Sequence, residues 1–206
     1  MRRSFLALAL IAGLAACGGA DNKWASDEAV ASVTFREAGP PTLTLFTVIS
    51  NQRNSGAHSA LMINGHERVL FDPAGTWGHA RIPERHDVHY GISSGVLDFY
   101  IDYHSRITYR VVQQDIVVSP EVAELAIRLV EQNGPVPKAH CSKSVAAIMK
   151  RLPGFEGAPD SWFPTALMDY LATKPGVKEE TFYDDDPHIN YEILVEGLPA
   201  GVAPGT

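Results

Sequence analysis

Several features that mark other protein classes are scarce in this sequence. Beyond the first 16 residues, no apolar run is long enough to cross a bilayer, and no internal repeat is present. Basic residues are also outnumbered, with 17 Lys and Arg against 24 Asp and Glu, so the formal charge is −7. Such an acidic chain disfavours nucleic acid as a partner, and it disfavours a broad electrostatic contact with anionic lipid.

The N-terminus has the parts of an export signal. Two arginines precede an apolar segment, residues 5–16, which is too short to remain as a membrane span. The segment ends in Leu14-Ala15-Ala16-Cys17, which resembles the lipobox of bacterial lipoproteins. This resemblance implies that residues 1–16 are a signal peptide and that Cys17 carries a lipid. The alternative is an ordinary secretory signal that contains a cysteine here by chance.

The lipoprotein hypothesis places the chain in the bacterial cell envelope, with a membrane as one partner. Gly18 follows the cysteine, and in the lipoproteins that this sequence resembles a residue other than Asp favours the outer membrane, facing the periplasm. Removing 16 of 206 residues leaves 190, with 15 basic and 24 acidic residues and a formal charge of −9. We expect residues 17–40 to form a tether, 41–198 a single domain and 199–206 a flexible tail.

Cys141 is then the only free thiol of the mature chain. Cysteines of exported proteins are normally paired in disulfides, so a single remaining thiol requires another explanation. It has no partner for an intrachain disulfide and no second cysteine for a zinc site.

The sequence patterns predict an α+β domain. Asn64-Gly65-His66 between two alternating runs predicts a hairpin, and residues 73–95 are predicted as a long loop. Strands are predicted over residues 42–49, 58–63, 67–72, 97–103, 106–113 and 191–195. Helices are predicted from Pro120, capped by Ser119, to Asn133; from Cys141 to just before Pro153; and from Pro164, capped by Ser161, to Thr173.

The helix that begins at Cys141 is the candidate for chemistry. Val145, Ile148, Met149 and Leu152 repeat at helical spacing, and Cys141 lies one turn before Val145 on the same apolar face. The unpaired N–H groups and the dipole of a first helical turn lower the pKa of a thiol there. The backbone N–H of Cys141 also points to where an oxyanion would form.

A thiolate nucleophile needs a base, and the base needs an orienting group. If the turn consists of residues 64–66, residue numbers paired across the hairpin sum to 130, which places His58 opposite Asp72. The carboxylate would then hold the imidazole in one orientation and support its positive charge.

Residues 56–65 (GAHSALMING), followed by 69–72 (VLFD), resemble the histidine hairpin of NlpC/P60-type papain-like hydrolases. In ordinary members the cysteine helix precedes this hairpin, whereas Cys141 follows it here. That order is similar to the circularly permuted branch, which includes the lecithin:retinol acyltransferase-like and YiiX-like proteins. Residues 162–167 (WFPTAL) are similar to a Pro-x-x-Leu segment of that branch, so the resemblance spans roughly residues 42–171. It implies a papain-like fold, an antiparallel sheet packed against helices with the cysteine at a helix N-terminus.

Two positions depart from the family pattern. The third polar residue of the site is often His or Glu in relatives, and here it is Asp72. His140 stands where several permuted members carry Asn, so it is a possible accessory residue that lines the oxyanion site, competes as a base or has no role.

Two other motifs offer competing sites. Residues 91–95 (GISSG) match the G-x-S-x-G nucleophile elbow, with Ser93 as nucleophile, but a strand rather than the required helix is predicted after them. His79, His86, His89 and Asp87 are metal-ligating residue types at irregular spacing, and solvated loop histidines are the preferred interpretation. We therefore expect no metal and no other cofactor.

The expected activity is that of a membrane-anchored thiol hydrolase that cleaves an amide or ester bond, with peptidoglycan stem peptides as the favoured substrate. Cys141 would attack the carbonyl, His58 would transfer the proton and Asp72 would orient His58. Two alternatives stay open: acyl transfer or hydrolysis on a lipid substrate, and a non-catalytic lipoprotein that binds envelope material.

Overall fold

One seven-stranded sheet organises the computed structural model, which describes residues 22–187, Leu194 and residues 204–205. The strands are β1 (Thr42–Ser50), β2 (Gly56–Asn64), β3 (Arg68–Phe71), β4 (Glu84–Arg85), β5 (Val88–Tyr90), β6 (Tyr109–Val117) and β7 (Lys178–Phe182). The helices are α1 (Asp27–Ala31), α2 (Ser94–His104), α3 (Pro120–Glu131), α4 (Cys141–Met149) and α5 (Pro164–Ala172). The chain is therefore a mixed α+β protein.

The sheet has the order β4-β5-β3-β2-β1-β6-β7, and every neighbouring pair is antiparallel. The prediction of an antiparallel sheet packed against helices is thus confirmed. Strands β1 and β2 are long and central, and both of their faces are covered. On β1, Leu43 and Leu45 pack into one apolar cluster, and Phe46 and Val48 pack into the other.

The two faces of the sheet are covered by different helices. Helices α3, α4 and α5 bury their apolar side chains against the face that carries Leu43 and Leu45. Helix α2 covers the opposite face, together with Trp77 and Ile82 of the segment that precedes β4. The sheet therefore lies between helical layers, and a residue on a central strand faces α4 or α2 according to its parity.

The N-terminal signals of the later helices are only partly as predicted. Helix α3 begins at Pro120, and the hydroxyl of Ser119 accepts a hydrogen bond from the N–H of Val122, which confirms the predicted cap. Helix α5 begins at Pro164, but Phe163 occupies the N-cap position, so the prediction that Ser161 caps it is wrong. The Ser161 hydroxyl instead accepts from the N–H of Phe163.

The prediction of a strand over residues 97–103 is wrong, because this segment belongs to α2. Its buried side chains include Val96, Phe99, Tyr100 and Tyr103, which share one helical face at spacings of three and four. Ser93 caps the helix by accepting a hydrogen bond from the N–H of Val96. The run of apolar and aromatic residues fits both periods, and the cap selects the helix.

Four further strands differ from the prediction. Strand β6 spans Tyr109–Val117 rather than 106–113, and β7 was not predicted. Strands β4 and β5 lie inside the predicted loop 73–95 and form a hairpin whose turn residues, His86 and Asp87, both have positive φ. Two-residue hairpins require such values, but the usual Asn-Gly signal is absent here. The strand predicted over 191–195 lies outside the continuously described residues.

Residues 22–40, which we expected to act as a tether, pack on the domain instead. The N–H of Ala25 donates to the carbonyl of Glu84, and the N–H of Arg68 donates to the carbonyl of Phe35. In the predicted flexible tail, Gly205 donates to the carbonyl of Gly91. The predicted signal peptide, residues 1–16, and Cys17 lie outside the described residues. Within the described part of the chain, no helix combines the length and apolar character needed to cross a bilayer.

Candidate active site

The hairpin β2–β3 brings His58 and Asp72 together, although its register differs from the predicted one. Leu61 pairs with Phe71 and Asn64 with Arg68, so paired residue numbers sum to 132 rather than 130. Asn64 stays in the strand because its side-chain amide exchanges hydrogen bonds with the backbone of Glu37, which shifts the turn to residues 65–67.

The shifted register still leaves both side chains on one face of the sheet. Continued past Phe71, it places Asp72 opposite Ala60, two residues from His58, and diagonal neighbours of this kind remain in reach. His58 Nε2 lies 2.6 Å from Asp72 Oδ1, and the Asp72 side chain is fully buried. This hydrogen bond occupies Nε2 and leaves Nδ1 as the ring nitrogen available to a nucleophile.

Cys141 is the first residue of α4 and is 7% exposed. Helix α4 packs on the face of the sheet opposite the one that carries His58. The Cys141 thiol nevertheless hydrogen-bonds the His58 ring, at a margin of the sheet. This margin exists because the β2–β3 pairing begins at Leu61, and β2 continues beyond it through His58 to Gly56. Just before Cys141, Ala139 has φ +67°, a left-handed conformation that turns the chain into the helix.

The environment of Cys141 favours the thiolate. Burial raises the pKa of the thiol. The hydrogen bond and charge of the His58 ring lower it, as do the backbone N–H groups of Ser59 and Ser142. Together these contributions outweigh burial, so the pKa of Cys141 falls below its ordinary value of 9.0. The backbone N–H of Cys141 itself has no hydrogen-bond partner among the described residues. It is therefore free to stabilise an oxyanion.

His58 and Asp72 form the charged partner of this thiolate. Burial lowers the pKa of His58, but the charge and hydrogen bond of Asp72, and more weakly Cys141, outweigh burial and raise that pKa to about 10. Burial likewise raises the pKa of Asp72, and the charged His58 ring more than reverses this, so Asp72 stays ionised well below its usual range. Together these shifts favour an imidazolium–thiolate pair at neutral pH.

Sequence reasoning missed two neighbours of this group, Tyr100 and His104, because α2 was predicted as a strand. The hydroxyl of Tyr100 donates to Asp72 Oδ1 at 3.1 Å, and the ring of His104 stacks on His58 with 5.8 Å between centroids. Burial lowers the pKa of His104 to about 4, although the charge of Asp72 acts in the opposite direction. The signal that could have found them is their spacing of four residues, which places both on one helical face.

Asp87, considered above as a metal ligand, has a structural role instead. Its carboxylate accepts hydrogen bonds from the N–H of Val136 at 2.7 Å and from the N–H of Ala74 at 3.3 Å. Burial raises the pKa of Asp87 to about 6, against the lowering effect of these two bonds. Asp87 thus ties the connector before Cys141 to the segment after Asp72.

The other candidates of the competing motifs do not converge. His79 accepts from the N–H of Arg81, His86 hydrogen-bonds Asn22, and His89 is buried against Trp77. The prediction that a strand follows Ser93 is wrong, but Ser93 is buried, has φ −66° and caps α2, so it lacks the strained geometry of a nucleophile elbow.

His140, the possible accessory residue, occupies the N-cap position of α4 but makes no side-chain capping bond. Its half-buried ring packs edge-on against Trp162, with 4.6 Å between centroids. Trp162 and its neighbour Phe163 are 50% and 72% exposed, so this side of the site presents aromatic surface to solvent.

A cavity of about 670 Å³ lies beside Asp72. Asp72 Oδ2, Trp77 Nε1 and His89 Nδ1 are buried polar atoms of its lining without hydrogen-bond partners among the described residues. Charged side chains complete the wall: Lys23, Glu84, Asp87 and Lys138. Neither His58 nor Cys141 belongs to the lining of this cavity.

Comparisons with known proteins add no relative: no family model, curated protein or solved structure matches the chain.

Proposed function

We propose that this protein is a thiol hydrolase that cleaves an amide or ester bond through Cys141, His58 and Asp72. The observation that carries the proposal is the buried 2.6 Å hydrogen bond between His58 and Asp72, next to a cysteine whose pKa is lowered at the start of α4. A buried dyad beside an activated thiol has the geometry of nucleophilic catalysis. The order of its elements supports a papain-like fold of the permuted NlpC/P60 type.

The reaction proceeds in two steps, acylation of Cys141 and hydrolysis of the resulting thioester. The Cys141 thiolate attacks the carbonyl carbon, and the oxyanion forms near the backbone N–H of Cys141. Collapse breaks the bond to the leaving group, which takes a proton from the His58 imidazolium and departs as an amine or alcohol. Water then gives a proton to His58 and attacks the thioester, which releases the carboxylic acid and regenerates the thiolate. Asp72 holds the ring in place throughout.

A peptide is the favoured substrate, and stem peptides of peptidoglycan fit the proposed location. Charged side chains, including Lys23, Glu84 and Lys138, line part of the cavity beside Asp72, and such groups can contact the amino and carboxyl groups of a peptide. We further propose that the chain is exported, lipidated on Cys17 and held at the outer membrane, as its N-terminal residues suggest.

Acyl transfer or hydrolysis on a lipid is the second candidate, and it has its own support. Trp162 and Phe163 are large and exposed, and the ring of Trp162 contacts His140, one residue from the nucleophile. Aromatic side chains in such a position suit an apolar chain or a membrane interface. The permuted order of the cysteine helix also favours this candidate.

The decisive experiment labels the thiol and then seeks the product. An iodoacetamide probe should label wild-type protein at Cys141 near neutral pH and should label His58→Ala far more slowly. His66→Ala, which removes an exposed histidine of the same hairpin, is the matched control and should label normally. Equal labelling of all three proteins would refute the dyad.

The substrate is tested with isolated peptidoglycan and with phospholipid vesicles, each incubated with wild type and with Cys141→Ser. New amino ends in the peptidoglycan with wild type alone support the peptidase, whereas released fatty acid supports the second candidate. A cellular phenotype that Cys141→Ser leaves intact, in a folded protein, would indicate a non-catalytic binding lipoprotein. Incorporation of a labelled fatty acid that Cys17→Ala abolishes would test the anchor.

A further inference from the structure

Three side chains around the proposed site bring ligand atoms for a metal close together. His58, Asp72 and His104 each offer one atom, and these atoms all lie within 4.8 Å of one another. They come from β2, from the residue after β3 and from the last turn of α2. Two imidazoles and one carboxylate are a donor set typical of Zn²⁺ and related divalent transition metals.

The ring of His104 is already oriented as a ligand would be. Its Nδ1–H donates to the backbone carbonyl of Tyr100 at 2.8 Å, which leaves the lone pair on Nε2. Within the described residues, Nε2 of His104 has no hydrogen-bond partner. Histidine ligands in proteins are commonly held in this way by a carbonyl on the other ring nitrogen.

The carboxylate of Asp72 is also prepared from outside the cluster. Tyr100, whose carbonyl orients His104, uses its hydroxyl to hold Asp72 Oδ1 at 3.1 Å. Tyr100 of α2 therefore positions two of the three ligands. Polar side chains that lie close together by chance would not share such a supporting residue.

We infer that His58, Asp72 and His104 form a binding site for one divalent transition-metal ion, with Zn²⁺ as the reference ion. The ion takes the place of the proton between His58 Nε2 and Asp72 Oδ1, and that proton goes to solvent. A fourth position is left for water. An occupied site withdraws His58 from proton transfer, so the ion inhibits the enzyme, a consequence that rests on the function proposed above.

Binding is tested by calorimetric titration of the full chain with zinc chloride after removal of metals with a chelator. Wild type should bind one ion per chain, and His104→Gln should weaken the affinity by roughly tenfold or more, since one of three ligands is lost. Asp72→Asn provides a second variant in case His104→Gln disturbs folding. His79→Gln, which changes a histidine outside the cluster, should bind as wild type does.

Cobalt(II) gives an independent readout of the ligands. A visible spectrum of a four-coordinate ion in wild type, lost in His104→Gln, supports the site. The inference would be overturned if wild type bound no ion, or if His104→Gln and Asp72→Asn both bound it with the affinity of wild type.

The labelling rate of Cys141 separates failure of this inference from failure of the proposed function. Zinc that slows labelling of wild type but not of His104→Gln supports both. Zinc that binds at these ligands and instead activates hydrolysis, with Cys141→Ser still active, supports the site and refutes the thiol mechanism. Rapid labelling that zinc leaves unchanged refutes the inhibitory site and leaves the thiol mechanism standing.

Discussion

Gly75 allows the carboxylate of Asp72 to occupy its place, and replacing it by alanine is the sharpest test of the site. A Cβ at position 75 would lie 1.8 Å from Asp72 Oδ2 and 2.5 Å from its Cγ. To restore an ordinary contact the carboxylate has to move by roughly 1.5 Å, far more than packing normally absorbs. Such a movement breaks the 2.6 Å hydrogen bond to His58.

The size of the effect follows from that bond. A hydrogen bond to a charged group contributes about 1.5–3 kcal/mol, which corresponds to roughly one to two pKa units. With Asp72 displaced, His58 supports the thiolate less well, and the pKa of Cys141 rises by about this amount. Below that pKa, the thiolate fraction and the alkylation rate should fall about 10- to 100-fold.

The assay is the rate of iodoacetamide alkylation as a function of pH, followed by mass spectrometry of the tryptic peptide 139–143, which carries Cys141. Gly78→Ala is the matched control, because its Cβ would meet its nearest atom, Glu84 Oε2, at an ordinary 3.7 Å. Circular dichroism establishes that both variants are folded. A folded Gly75→Ala protein with the wild-type pH–rate profile would refute the role of Asp72.

Three further predictions concern stability, each measured by urea unfolding. Burial lowers the pKa of His58, but Asp72 raises it to about 10, above the 6.5 of an ordinary histidine. The charged His58 therefore stabilises the folded state fully below pH 6.5, and this stabilisation is lost as the pH rises towards 10. In His58→Gln the free energy of unfolding should decline less over this pH range. Tyr100→Phe removes the hydrogen bond to Asp72 and should cost about 1.5–3 kcal/mol; no loss would show that the bond is dispensable. Ser119→Ala should cost about 1 kcal/mol because it removes the cap of α3, whereas Ser161→Ala, which removes no cap, should cost less.

The pairing of His58 with Asp72 was predictable because it depends on local sequence. Alternation places residues of equal parity on one face of a hairpin, so both side chains share a face whether the residue numbers sum to 130 or 132. The register itself was not predictable, because Asn64 is held in its strand by Glu37, a residue outside the hairpin. The predicted proximity of His58 and Asp72 is therefore correct even though the predicted turn is displaced by one residue.

Tyr100 and His104 were missed for a different reason. Residues 96–103 (VLDFYIDY), which contain Tyr100 and directly precede His104, have apolar side chains that satisfy both the strand and the helix period. Their buried face is defined by contact with the second side of the sheet. The role of Asp87 was equally hidden, since Val136 lies 49 residues away along the chain. Long-range hydrogen bonds of this kind leave no local pattern.

By itself, the sequence determined the features that depend on residues near one another: the long strands β1 and β2, the hairpin with its histidine, the cap of α3 and the start of α4 at Cys141. Local backbone geometry and burial periodicity are enough for these. Only the tertiary structure decided which elements meet. It brings α2 to the His58 side of the sheet, lets β2 extend past β3 so that a thiol can approach, and surrounds the Asp72 carboxylate with Tyr100 and Gly75. The free energy of those contacts comes from burial and from hydrogen bonds between distant residues, which no short stretch of sequence encodes.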